Sequence, residues 1–111
     1  MSTQTDLIIP YSALKYDGDD RASIALATPE HEVISALLMQ TVRRHAETLA
    51  QGARVTPVSV TIDVTGIVSD AGTIQFVSKV DRKTRTLFFI GGEAMQGDTP
   101  LLKATAIYRI G

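Results

Sequence analysis

The hydrophobic period of this sequence changes at Gly52, and that change limits the folds open to the chain. Before Gly52, apolar residues recur at the spacing of a helix and occupy one half of its circumference. These residues are Val33, Ile34, Leu37, Leu38, Val42 and Leu49. After Gly52, apolar and polar residues alternate over residues 58–65, which is typical of a strand with one buried face. One long helix therefore precedes a run of strands.

Start and stop signals predict that the helix covers about residues 29–51. Thr28 can cap the free amides, Pro29 suits the first helical position, and the carboxylate of Glu30 complements the helix dipole. Gly52 provides a C-terminal stop. At ~1.5 Å per residue, this helix would be roughly 34 Å long.

Turn-forming residues separate four further stretches that have the composition of strands. One precedes the helix and three follow the strand at 58–65; they cover residues 21–27, 73–80, 85–90 and 101–110. Residues 81–84 are interpreted as a polar turn, and residues 93–98 as a break between strands. Because short links favour antiparallel pairing, we expect strands that are consecutive in sequence to be neighbours in the sheet.

A half-apolar helix and a sheet with one apolar face are most simply buried against each other. The sequence therefore predicts an α+β domain in which an antiparallel sheet wraps around one long helix. Residues 1–20 are assigned to an N-terminal lead-in and residues 21–111 to the domain. The first predicted strand is too short to protect an edge of the sheet, so self-association is expected.

Composition excludes several classes of function. The chain has 111 residues, enough for one domain, and its net charge is −1, from 11 Lys and Arg against 12 Asp and Glu. That balance argues against nucleic acid or a membrane surface as partner. There is no cysteine, which excludes a disulfide, a thiolate metal site and a thiol nucleophile, and two histidines argue against an all-histidine metal site. Without a signal-like apolar run, a cytoplasmic location is expected.

Three stretches, taken in their order and spacing, resemble the hotdog-fold acyl-CoA thioesterase superfamily. PEHEVISALLMQ at residues 29–40 is similar to the family's helix entry, and TPVSVTIDV at 56–64 is similar to the strand after the helix. GTIQFVSKVDRKTR at 72–85, followed by LLKATAIY at 101–108, is similar to its closing hairpin. The resemblance covers about residues 21–110. It implies the hotdog fold, in which a curled antiparallel sheet encloses one long central helix.

The resemblance also implies an activity and an assembly. Members of this family form a homodimer, or a dimer of dimers, whose sheets join edge to edge. The acyl thioester lies at the dimer interface, and its CoA moiety runs out along the surface; CoA is part of the substrate, and no separate cofactor is expected. A carboxylate on the helix or on the neighbouring subunit activates water, while amides at the helix start polarise the thioester carbonyl.

The sequence departs from the family pattern at the helix entry. Many relatives have His-Gly-Gly there and an acidic residue about nine positions later, whereas this chain has His31-Glu32-Val33 and then Gln40. A glutamine amide can hold water by hydrogen bonds but cannot take its proton at useful pH. Gln40 is therefore interpreted as a positioner of water or of the substrate. The alternative is a glutamine on the flank of the helix at a dimer contact.

Four other residues are candidates for proton transfer. His31 can donate to a thioester oxygen or act as a base, and Glu30, Glu32 and Asp63 are the candidate carboxylate bases. The alternatives are an exposed first-turn histidine, first-turn glutamates that serve the helix dipole, and a solvated aspartate on a strand. His45, within the apolar stripe of the helix, is interpreted as structural.

Arg82, Lys83 and Arg85 form a basic cluster that the resemblance places near the phosphates of CoA. Guanidinium and ammonium groups bind phosphate well, although an ordinary solvated turn has the same composition. Two rival functions stay open. One is a non-catalytic hotdog protein that binds an acyl thioester or a fatty acid, or serves as a structural dimer module. The other is a dehydratase-type enzyme that uses His31 with a carboxylate.

Overall fold

One helix and six strands form the domain in a computed structural model that describes residues 6–67 and 70–111. After a 3₁₀ turn at Tyr11–Ala13, the elements are β1 (Lys15–Tyr16), β2 (Arg21–Leu26), α1 (His31–Ala50), β3 (Val55–Val64), β4 (Gly72–Lys83), β5 (Leu87–Gln96) and β6 (Thr99–Ile110). The predicted succession of a strand, one long helix and four strands is confirmed, and β1 adds a short strand from the lead-in segment.

The strands form one antiparallel sheet in the order β1-β2-β4-β5-β6-β3. The expectation that β3 and β4 are neighbours is therefore wrong, because β3 pairs with β6 at the far edge. Crossing three strand spacings requires about 14 Å, whereas a seven-residue link can extend over about 23 Å. The short link between β3 and β4 is long enough to cross the sheet, so its length does not force pairing.

The helix is shorter at its start than its sequence signals predicted. It begins at His31, and Glu30 is the N-cap residue, with an extended backbone at φ −129° and ψ 143°. The carbonyl oxygen of Glu30 accepts the first helical hydrogen bond from the Ile34 amide at 3.0 Å. Thr28 and Pro29 therefore precede the helix. At the other end, Gln51 adopts the left-handed conformation with φ 52°.

Two strands extend through residues that the sequence indicated as a turn and a break. Asp81, Arg82 and Lys83 belong to β4, because the backbone there still pairs with β5 across a bulge between Val80 and Arg82. Strand β5 continues to Gln96. The predictions of a turn at 81–84 and of a break at 93–98 are therefore wrong. A charged or glycine-rich composition does not prevent strand pairing where neighbouring backbones supply the partners.

Gly92 shows why glycine is found in the middle of β5. A Cβ atom on this residue would lie 2.7 Å from Cγ2 of Val42 and 3.1 Å from Cδ1 of Leu38, both on α1. The missing side chain lets the helix approach the concave face of the sheet closely. Gly92 is therefore a packing residue and not a loop glycine.

The core lies between α1 and the concave face of the sheet. The predicted apolar stripe of the helix is confirmed: its residues between Val33 and Val42 are buried against β4, β5 and β6, and Leu49 is partly buried. The largest fully buried side chains are Tyr108, Phe76, Ile34, Leu37, Leu38, Ile74, Ile90, Leu101 and Leu102. With these side chains the helix and the sheet share one hydrophobic core.

Strand β3 leaves apolar side chains uncovered, contrary to the expectation of a buried face. Val58, Val60 and Val64 are 53%, 42% and 65% exposed. We call these three residues the β3 edge, because β3 is the outermost strand and pairs on one side with β6. Pro57 lies in the same strand, as is typical of edge strands, since proline cannot donate to a ladder. The weak edge of the sheet is therefore β3 and not the first predicted strand.

Candidate functional site

A cavity of about 280 Å³ lies between α1 and β3. It is lined by Tyr11, Ala36, Met39, Gln40, Arg43, Pro57, Val60 and Tyr108, and we call it the edge cavity. The helix supplies Ala36, Gln40 and Arg43, whose spacings of four and three residues place them on one side of α1. Gln40 thus lies in a cavity that opens beside the β3 edge.

The polar groups of the edge cavity are hydrogen-bond donors without a carboxylate among them. Tyr108 is buried, and its burial raises the pKa of the phenol. The positive charge of Arg43 lowers this pKa and the negative charge of Glu47 raises it, both by less than burial does. The Tyr108 hydroxyl is therefore protonated at neutral pH and can donate. Gln40 adds an amide and Arg43 a guanidinium.

Tyr108 and Arg43 were not predicted from the sequence as site residues. Tyr108 belongs to β6, which is adjacent to β3 only because the strand order is non-consecutive. Arg43 follows Gln40 by three residues, so a helical-spacing argument centred on Gln40 would have found it.

A hydrogen bond of His31 connects the start of the helix to the link after β3. Its Nε2 lies 3.0 Å from the carbonyl oxygen of Gly66. Because a carbonyl oxygen only accepts, Nε2 donates this bond, and Nδ1 of the neutral ring is left as the acceptor. His31 is half-buried and precedes Gln40 by nine residues, which is about 13.5 Å along the helix axis. In one chain, His31 is therefore remote from the edge cavity.

The three candidate carboxylates are also outside the edge cavity. Glu30 and Glu32 are exposed at the start of α1, and Glu30 borders a separate depression of about 390 Å³. Asp63 is exposed on β3, in register with Lys103. The neighbouring Ala104 is buried toward the helix, so Asp63 and Lys103 lie on the outer face of the sheet. Within the described residues of a single chain, none of these three carboxylates lies with Gln40 in the edge cavity.

The basic cluster lies on the β4–β5 hairpin, at the same end of the sheet as the edge cavity. Lys83, Phe88, Tyr108 and Pro57 are paired in one row across β4, β5, β6 and β3. Lys83 is two strand spacings from Tyr108, about 10 Å. Its ammonium lies 5.3 Å from the centre of the Phe88 ring.

Arg82 and Arg85 complete the basic cluster. Arg82 lies on the opposite face of the sheet from Lys83, and its guanidinium is 5.8 Å from the centre of the Phe89 ring. Arg85 is exposed in the turn. The structure therefore keeps the three cations together but divides them between two faces of the hairpin.

Another depression, of about 510 Å³, lies on the outer face of the sheet. Its charged rim consists of Lys79, Asp81, Glu93 and Lys103. Two ammonium groups balance two carboxylates, so the rim favours neither an anion nor a cation. No group of three His, Asp or Glu side chains within residues 6–67 and 70–111 is arranged to hold a metal ion. Over the same residues, no helix combines the length and apolar character needed to cross a bilayer.

His45 has a structural role, as its position in the apolar stripe indicated. Its Nδ1 lies 2.8 Å from the hydroxyl oxygen of Ser78, which is 3% exposed. Neither residue lines the edge cavity.

We expect Ser78→Ala to lower the free energy of unfolding by about 1–2 kcal/mol, because His45 loses its partner in a half-buried position. Thr48→Ala is the matched control. The Thr48 hydroxyl donates to the Arg44 carbonyl oxygen on the exposed side of the helix, and its loss should cost less than about 0.5 kcal/mol. Urea denaturation of both variants measures the difference, and equal effects would show that the His45–Ser78 contact adds no stability.

A long helix held on the concave face of a curled six-stranded antiparallel sheet defines the hotdog fold, and this chain has that fold. Solved structures confirm the assignment. A conserved protein from Pseudomonas aeruginosa is similar at a TM-score of 0.74 and 18% identity, over 94% of this chain and 95% of that one. A thioesterase from Haemophilus influenzae has a TM-score of 0.73 and 11% identity, over 88% and 76%.

A further similar structure contains CoA. This protein, from Bacillus halodurans, has a TM-score of 0.71 and 10% identity, over 88% of this chain and 71% of that one. The predicted resemblance to hotdog thioesterases is thus confirmed for the fold. No protein-family model matches the sequence, and no curated protein matches it either.

Proposed function

We propose that this protein is a hotdog thioesterase that hydrolyses an acyl-CoA, or a related acyl thioester, at a homodimer interface. One observation carries the proposal: the cavity that contains Gln40 opens beside the uncovered β3 edge. The similarity in fold to a thioesterase and to a CoA-containing protein supports the same class of substrate.

The homodimer would form by pairing of two β3 strands. Strand β3 has ten residues and ends the sheet, so its outward backbone groups can pair with a second copy. Val60 both belongs to the β3 edge and lines the edge cavity. A second copy joined along β3 would therefore bury the exposed valines and supply the missing wall of the cavity. A dimer of dimers would need a further surface.

In the proposed reaction, a water oxygen attacks the thioester carbonyl. A carbon–oxygen bond forms and the carbon–sulfur bond breaks. The base takes one water proton and passes it to the leaving thiolate, and the other proton stays on the product carboxylic acid, which releases it to solvent. Gln40 orients the water or the carbonyl. The amides that favour the developing oxyanion would be those at the start of a second copy's α1, because the helix start of the same chain is remote from Gln40. The Glu30 side chain does not cap these amides.

The base of this reaction would come from a second subunit. Glu30, Glu32 and Asp63 are the available candidates, and none of them lines the edge cavity of its own chain. Two-fold association along β3 would bring another copy's helix start, with Glu30 and Glu32, toward the cavity. Asp63 would stay on the outer face of the joined sheet, so the two glutamates are favoured over it. His31 would then act by holding the link after β3 in place, through its bond to Gly66.

The CoA moiety would run from the edge cavity toward the β4–β5 hairpin. Arg82, Lys83 and Arg85 offer three cations there, and Lys83 is about 10 Å from Tyr108 along one row of the sheet. Arginine guanidinium groups and lysine ammonium groups both bind phosphate.

Thiol release from short, long and aromatic acyl-CoAs tests the proposal. A thiol-reactive dye is suitable because the protein has no cysteine. We expect turnover on at least one ester and a loss of about 10²-fold in Gln40→Ala, the effect of removing one well-placed hydrogen-bond donor. Gln40→Glu keeps the side-chain length and adds a base. At neutral and alkaline pH, this variant should therefore release thiol faster than the wild type. An unchanged rate in Gln40→Ala would remove Gln40 from the mechanism.

A non-catalytic acyl-thioester-binding protein is the second candidate, favoured by the lack of a carboxylate along the edge cavity. It predicts that the folded dimer binds acyl-CoA without releasing thiol. In that case Gln40→Glu would be the informative variant, since a newly supplied base would turn binding into slow hydrolysis.

A further inference from the structure

Arg43 points to a preference among acyl groups that the proposed thioesterase function leaves open. It lines the edge cavity one helical turn after Gln40. Among the residues that the structure describes, no acidic residue lines this cavity, so within them the guanidinium has no carboxylate partner in the cavity. A cation at the wall of a small, partly apolar cavity favours a ligand that carries a negative charge there.

The ion pair of Arg43 leaves most of its donors available. Its Nε lies 4.0 Å from Oε2 of Glu47, and both side chains are about half exposed, at 48% and 55%. A long exposed pair of this kind is weak. It engages the inner nitrogen, while the two terminal nitrogens of the fork carry four of the five N–H donors. These nitrogens can bind a carboxylate in a bidentate manner.

Tyr108 supplies a second donor to the same cavity. Its ring belongs to the core of the sheet, and Pro57, its pairing partner on β3, lines the cavity beside it. Because the phenol stays protonated at neutral pH, it donates to an anionic oxygen and does not repel one. Gln40, Arg43 and Tyr108 together offer amide, guanidinium and hydroxyl donors.

We propose that the edge cavity selects an acyl group that ends in a carboxylate, with Arg43 as the specificity-determining residue and Tyr108 as a second hydrogen-bond donor. This inference rests on the proposed function, because the acyl chain has to enter the edge cavity. Gln40 and Arg43 are three residues apart, about 4.5 Å along the helix axis, and this separation suits a short chain. The substrate class is thus the CoA thioester of a short dicarboxylic acid.

Two thioether analogues of equal chain length test this specificity without turnover. S-(4-carboxybutyl)-CoA carries the terminal carboxylate, S-pentyl-CoA lacks it, and CoA alone reports the contribution of the nucleotide. By titration calorimetry, we expect the carboxylated analogue to bind about tenfold more tightly than S-pentyl-CoA, which is the usual effect of a charged hydrogen bond. In Arg43→Gln the two affinities should become equal, whereas Arg43→Lys should retain part of the preference.

Arg54→Gln is the matched control, because Arg54 is an exposed arginine that does not line the edge cavity; it should keep the wild-type preference. Equal affinities for the two analogues in the wild type would overturn the inference and leave the proposed function standing. A uniform loss for all three ligands in Arg43→Gln would also overturn it, by assigning Arg43 to the CoA phosphates. No binding of any ligand would overturn the proposed function and this inference together.

Discussion

Gly92→Val should destabilise the protein by about 3 kcal/mol, at the upper end of the usual cost of overpacking. The added Cβ would lie 2.7 Å from Cγ2 of Val42, a fully buried and β-branched side chain that cannot move aside without disturbing the core. Valine is the better strand former, so local propensity alone predicts a gain in stability. We expect the clash to outweigh that gain, because a whole helix has to move away from the sheet.

Gly72→Val is the control for the Gly92 substitution. Its added Cβ would meet Nε2 of Gln96 at 3.1 Å, and this is the end of a flexible side chain that can rotate away. The free energies of unfolding of the two variants, measured by urea denaturation, should therefore differ by at least about 2 kcal/mol. If Gly92→Val does not fold, Gly92→Ala gives a measurable intermediate. A wild-type stability for both Gly92 variants would show that helix and sheet do not pack as closely as described.

Val60→Glu should convert the proposed homodimer to a monomer. In a dimer joined along β3, this side chain would become buried. Desolvation of the carboxylate costs several kcal/mol, which the attraction of Arg43 in the same cavity offsets only in part. A loss of about 2.7 kcal/mol per dimer already raises the dissociation constant about 100-fold. Sedimentation velocity at micromolar concentration measures the change.

Thr61→Glu is the control for the Val60 substitution. It places the same charge one residue away, on the outer face of the strand. Circular dichroism should show that both variants are folded. We expect Thr61→Glu to remain dimeric; a dimeric Val60→Glu protein would contradict the proposed interface and, with it, the route by which a second copy completes the edge cavity.

The helix could be predicted from the sequence because its signal is local. Seven buried residues of α1 repeat at helical spacing, and the break at Gly52 is a property of neighbouring residues. The positions of the strands followed from alternation in the same way. Their order did not, because the pairing of β3 with β6 joins residues about fifty positions apart and no local pattern encodes it. The packing role of Gly92 could not be predicted for the same reason, since its partner Val42 lies on another element.

The candidate site also contains residues that the sequence could predict and residues that only the fold reveals. Gln40 could be identified because the family resemblance implies a site residue about nine positions after His31, and the structure places it in a cavity. Tyr108 emerged only once β6 lay beside β3, whereas Arg43 follows Gln40 at helical spacing and could have been identified with it. Roles for Glu30, Glu32 and Asp63 stay predictions, because they depend on a second copy. Arg82, Lys83 and Arg85 remain together, although the predicted turn proved to be the end of a strand pair.

The bulge in β3 determines which side chains of this edge strand face the helix and which face outward. Pro57 pairs with Tyr108 and Ser59 pairs with Ile107, so Val58 is an extra residue in the ladder. Beyond it, the even-numbered side chains face the helix. Losing or gaining a single residue here would exchange the two faces and turn Asp63 toward the interior. Substitutions in this strand can accumulate one at a time, whereas a change in its length would alter the wall of the cavity and the proposed contact surface in a single step.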